Sequence, residues 1–139
     1  MSSFTKELIV KPLKDGKTWE LMEEFEYYSR SPDSGTRVII PAGFTTDFAS
    51  TPRITWWLLP PWGSYGKATV VHDYLREGNE MIVNNKLMPV SAKTADWIFM
   101  EAMTVLKVKV PVRIVMYSAV VISRYYNNAI NRIKRLFKK

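Results

Sequence analysis

The sequence holds no cysteine and one histidine. The first absence excludes disulfide cross-links and thiolate metal sites, and it fits a reducing compartment. The second excludes a zinc site built from several imidazoles, and any Ser–His–Asp arrangement would have to use His72 as its base. Long apolar runs are missing as well. The most apolar late stretch, residues 110–123, is interrupted by Arg113 and falls short of the roughly 20 residues that cross a bilayer. Residues 1–11 mix polar and apolar side chains and lack the continuous apolar core of a secretory signal. Acidic residues are missing from residues 104–139, which hold nine Lys and Arg, whereas residues 1–103 hold 11 Lys and Arg against 13 Asp and Glu. The net charge of +7 therefore belongs to the C-terminal segment and not to the chain as a whole.

What is present fits one domain. A chain of 139 residues buries roughly two thirds of its unfolded surface and folds without a covalent staple. The first 45 residues read as strands. Glu7-Leu8-Ile9-Val10 is one. Trp19, Leu21, Phe25 and Tyr27 recur at even spacing, as a half-buried strand or a bulged pair requires. Val38-Ile39-Ile40 is another, ended by Pro41. Lys14-Asp15-Gly16-Lys17 and Ser31-Pro32-Asp33-Ser34-Gly35 carry turn chemistry between them, and a three-stranded antiparallel meander is the simplest assembly.

Residues 41–63 read as irregular yet contain Trp56, Trp57, Leu58, Leu59 and Trp62. Such a segment either caps the core or presents a recognition surface, since large apolar patches usually have a partner. Helices follow. Tyr65, Ala68, Thr69, His72 and Leu75 or Arg76 share one face of the first, which ends near Gly78. Residues 79–89 read as a polar linker. Ser91 offers an N-cap, and Ala95, Ile98, Phe99, Ala102, Met103 and Leu106 form the stripe of an amphipathic helix. Pro111 suits the first turn of a third helix that runs toward the C-terminus, with residues from about 127 to 139 as a basic helical extension. The expected class is α+β: a small N-terminal antiparallel sheet with two or three C-terminal helices.

One constellation carries chemistry. His72 and Asp73 are adjacent, so their side chains leave a helix about 100° apart and serve one site in two roles. If the next helix packs antiparallel, Asp96 faces His72. A carboxylate on one ring nitrogen fixes the tautomer and leaves the other to take a proton from water. Asp73, with Asp47 and backbone carbonyls, would suit a hard divalent cation such as calcium. The same residues also make sense as a hydrogen-bonded structural cluster, with Asp47 bonded to backbone N–H groups of its own turn.

Three blocks carry a resemblance: Gly43-Phe44, Thr46-Asp47-Phe48-Ala49-Ser50 and Pro52-Arg53; then His72-Asp73-Tyr74-Leu75; then Ala95-Asp96, Ile98-Phe99 and Glu101-Ala102-Met103. In this order, over about residues 38–126, they resemble a small family without an assigned activity, encoded mainly by tailed bacteriophages and prophages. The resemblance implies a place in the host cytoplasm or the virion, with other phage proteins as partners. A second likeness is to the helical core of the phospholipase A-two fold, where a His-Asp pair on one helix faces an Asp on an antiparallel partner. It implies His72 as base, Asp96 as the carboxylate behind it, Asp73 as calcium ligand, and an ester or other acyl bond as substrate. The chain departs from that fold in having no cysteines and no glycine-rich calcium loop, for which residues 43–50 are a candidate substitute.

The C-terminal end mixes Arg132, Lys134, Arg135, Lys138 and Lys139 with Ile133, Leu136 and Phe137. Cations there suit the helix dipole. The mixture also suits an anionic membrane surface or an acidic protein. Sequence-specific nucleic-acid binding is not expected, because no base-reading motif accompanies the charge. Two functional classes remain open: a hydrolase-like enzyme using His72 and Asp96, and a virion or accessory protein whose apolar and basic surfaces bind partners.

Overall fold

The computed structural model describes residues 3–4, 8–16, 18–29, 36–46 and 66–138. Among these residues it is an α+β structure with two antiparallel sheets and three helices. The strands are β1 (Ser3–Phe4), β2 (Val10–Pro12), β3 (Trp19–Leu21), β4 (Phe25–Tyr28), β5 (Arg37–Ile40), β6 (Thr45–Thr46), β7 (Met81–Val83) and β8 (Lys86–Met88). The helices are α1 (Gly66–Arg76), α2 (Ala92–Val105) and α3 (Val110–Phe137). One sheet runs β1-β4-β5-β7-β8, and the other β2-β3-β6.

The expected meander is therefore divided. Trp19 and Leu21 belong to one sheet, Phe25 and Tyr27 to the other. In the larger sheet Phe25 pairs with Ile40 and Tyr27 with Val38. All four are buried, because side chains two residues apart point to the same face of a strand. Pro41-Ala42-Gly43-Phe44 then turns the chain toward the smaller sheet. Phe44 N–H donates to the Pro41 carbonyl at 3.3 Å, and Gly43 has φ +90°, as the third position of a type II turn requires. Of the run Glu7-Leu8-Ile9-Val10, Glu7 lies outside the described residues, Leu8 and Ile9 precede the strand, and Val10 begins β2, which continues to Pro12.

Residues 79–89 are not a bare linker. β7 and β8 pair as a hairpin across Asn84 and Asn85, whose φ values are 50° and 64°. Positive φ at both central residues is the demand of a type I′ turn, and asparagine tolerates it. Arg37 of β5 pairs with Ile82, which joins this hairpin to the main sheet.

α1 lies at the centre, packed on α2 and on β5 and β6. It buries Ala68, Val70, Val71 and Leu75 together with Thr69, His72 and Asp73. α2 begins as expected: Ser91 accepts a hydrogen bond from Thr94 N–H at 3.1 Å. Its buried stripe is Ala95, Ile98, Phe99, Ala102 and Met103, with Asp96 beside it. The helix ends with Val108 N–H on the Met103 carbonyl and Lys107 N–H on that of Thr104, both at 3.1 Å. This closing pattern places its penultimate residue in the left-handed region, and here that residue is Lys107, at φ +59°. Lys107→Gly is expected to raise stability by about 0.5–1 kcal/mol, because glycine adopts this conformation without a Cβ clash. Urea unfolding of the two proteins measures it, and an unchanged or lowered midpoint would contradict the strain.

Candidate functional site

α1 aims His72 and Arg76, one turn apart, toward the same side. Asp96 of α2 meets both. His72 Nε2 lies 2.5 Å from Asp96 Oδ1, and Arg76 Nη1 donates to the same oxygen at 3.1 Å. From α3, Arg124 Nη1 donates to Asp96 Oδ2 at 2.8 Å. One carboxylate thus receives side chains from both neighbouring helices. Asp96 is fully buried and His72 is 3% exposed. The His72 ring also lies against Phe99, with centroids 4.8 Å apart and planes tilted by 33°. Asp96 and Phe99 are three residues apart on α2, so the carboxylate and the apolar support come from one face.

Asp73 points elsewhere. Its carboxylate accepts a hydrogen bond from Thr46 Oγ1 in β6, which ties α1 to the smaller sheet. Both residues are buried. The next residue along, Tyr74, stands edge-on to Phe44 at 5.2 Å, and burial pushes its phenol above the ordinary value.

The structure thus brings His72 and Asp96 together and places Asp73 against Thr46. Asp47, proposed with Asp73 for a cation, lies outside the described residues, as do Trp56, Trp57, Trp62 and Lys139. Among the described residues no three His, Asp or Glu side chains gather as a metal site. Arg132, Lys134, Arg135 and Lys138 are exposed along the last turns of α3. An open pocket of about 400 Å³ lies elsewhere, lined by Trp97, Met100, Glu101, Thr104 and Val105.

Two residues of the cluster, and one carboxylate outside it, have no role that the sequence assigns. Arg124 comes from 28 residues beyond Asp96, and nothing in its local pattern marks it. Arg76 shares a helix face with His72, a signal available at i, i+4 spacing. Glu101 accepts from Tyr27 at 2.5 Å and Ser29 at 2.9 Å, tying α2 to β4 and its following turn. Its position inside the third sequence block was visible, but its partners come from a distant strand.

The fold and the cluster define a class: a small α+β domain whose three helices converge on one buried carboxylate. Residues 19–120 match the family described as a protein of unknown function, DUF1353, and the chain belongs to that family. Neither a curated protein nor a solved structure matches it significantly.

Proposed function

We propose that this chain is a phage-encoded accessory protein that acts by binding, with the His72–Asp96 cluster as the tie that holds its helices in place. One observation supports the reading above others. Asp96 has no exposed surface and receives Arg76 and Arg124 as well as His72. The carboxylate of a catalytic dyad serves chiefly to orient one imidazole, whereas this one joins α1 and α3 to α2. Buried charges are retained where they are paired and hydrogen-bonded, and such a set fixes how elements dock. The phage origin rests on the resemblance of the three sequence blocks.

A second reading keeps the enzyme. The 2.5 Å contact between His72 Nε2 and Asp96 Oδ1 favours a general base oriented by a carboxylate, acting on an ester or other acyl bond, with Asp73 and Asp47 holding a divalent cation such as calcium. His72→Gln separates the two readings. Under the binding reading it lowers the melting temperature markedly, and neither protein hydrolyses fluorogenic esters, with or without calcium. A wild type that hydrolyses such esters, and a variant that melts like it but has lost the activity, would overturn the binding reading.

A further inference from the structure

α3 is 28 residues long, yet its only buried residues are Met116 and Val120. Beyond Arg124 the helix is exposed on nearly every side. The family match also ends at residue 120, so the distal half of α3 is an addition to the part that matches the family.

That half has two faces. At about 100° per residue, Tyr125, Tyr126, Ile130, Ile133, Leu136 and Phe137 fall within an arc of about 140°. Ile122 lies on the same arc one turn earlier. Arg124, Arg132, Lys134, Arg135 and Lys138 occupy the remainder with Asn127, Asn128 and Asn131. Met116 and Val120 lie outside the apolar arc, so docking α3 on the domain leaves the arc uncovered. Ile122 is 67% exposed, Tyr126 65%, Leu136 72% and Phe137 85%. The uncovered stripe from Ile122 to Phe137 is about 22 Å long at 1.5 Å per residue.

We propose that this stripe docks the protein on an anionic lipid surface, with α3 lying in the plane of the interface. The charge selects the occupant. Residues 104–139 carry nine cations and no anion; with Arg124 paired to Asp96, eight remain, which attract a negative surface and repel the same segment of a second copy of the chain. The width of the arc points the same way. A two-stranded coiled coil covers a narrow seam, and Tyr125, Ile130 and Phe137 lie beside that seam, where such a partner would leave them wet. A planar surface reaches the whole arc. Arg132 and Lys134 border it on either side, where long basic side chains keep their charge at head-group level while their stems cover apolar surface. The tyrosines present an apolar ring and a polar hydroxyl, as the interface favours. No helix among the described residues is long and apolar enough to cross a membrane, so the helix lies on the surface and does not span it. The proposal is independent of what His72 and Asp96 do.

Flotation of the full chain with phosphatidylcholine vesicles, with and without phosphatidylglycerol, tests it, alongside sedimentation velocity of the free protein. The expected result is binding to the anionic vesicles only, weakened by salt. Arg132→Gln and Lys134→Gln each reduce it by about fivefold. Ile133→Ser with Phe137→Ser reduces it by at least about tenfold, and because both residues are exposed the melting temperature stays unchanged. Equal binding to neutral vesicles, or binding to neither, overturns the proposal. So does anionic binding that the Ile133→Ser, Phe137→Ser variant retains, which is charge attraction alone. A dimer that this variant dissociates, without vesicle binding by the wild type, assigns the stripe to a second copy instead.

Discussion

Asp96→Asn lowers the stability of this protein by about 3–5 kcal/mol, the cost of removing one partner from a buried ionic cluster. For a chain of this size that is a fall of about 10–20 °C in melting temperature. The size follows from what the substitution strands. Arg124 is 11% exposed and Arg76 24% exposed, and both donate to a carboxylate with no exposed surface. Asparagine keeps the shape but brings no negative charge, so two guanidinium groups remain in the interior without a counter-charge. Replacing one cation costs less. Arg76→Gln falls at the lower end because water partly screens the pair, and Arg124→Gln costs more because less water reaches it. His72→Gln combined with Asp96→Asn is expected to cost clearly less than the two single losses together, since the residues share one contact. Thermal and urea unfolding of the wild type and the five variants gives the comparison. An Asp96→Asn variant within about 1 kcal/mol of wild type would mean that the cluster does not hold the helices together, and would remove the support for a binding protein built on a structural tie.

The parts of this fold written in local pattern were legible. The stripe Ala95, Ile98, Phe99, Ala102, Met103 repeats at helical spacing and is buried as a stripe; Ser91 caps the helix; Pro111 sits in the first turn of α3. The contact of His72 with Asp96 was also visible, because His72 lies on the shared face of the first helix and Asp96 borders the apolar stripe of the second, and two consecutive helices pack through those faces. What failed was non-local. Even spacing in Trp19, Leu21, Phe25 and Tyr27 is compatible with one strand or two, and only the pairing of Trp19 with Thr46 and of Phe25 with Ile40 divides them between sheets. Residues 79–89 read as a linker because each strand of the hairpin is only three residues long, too short for a period to show, while the turn signal Asn84-Asn85 lies in plain view. Arg124 joined Asp96 only through the docking of α3, which no spacing within α3 announces. The unpartnered length of α3 follows the same rule: its amphipathic pattern is local, but which part of it the domain covers is decided by packing.

Phe99→Ala is expected to cost about 3–5 kcal/mol, the range for truncating a fully buried aromatic ring. Phe99 has no exposed surface and belongs to the core cluster with Ala68, Val71 and Ala102. Its ring is also the apolar support of His72. Alanine leaves a void in contact with the imidazole, because a packed interior relaxes only in part. The loss therefore reaches the ionic cluster, since a ring without that support holds the Asp96 contact less firmly. Phe99→Leu keeps most of the volume and is expected to cost less than about 1.5 kcal/mol. Coupling distinguishes this from a plain cavity effect: Phe99→Ala made in the His72→Gln background should cost at least about 0.5 kcal/mol less than in wild type, as for residues in contact. Equal costs in the two backgrounds would show that the core under α1 and the cluster above it are energetically separate. His72 would then owe its position to contacts other than the Phe99 ring, and the helical core would stand without the polar cluster's help.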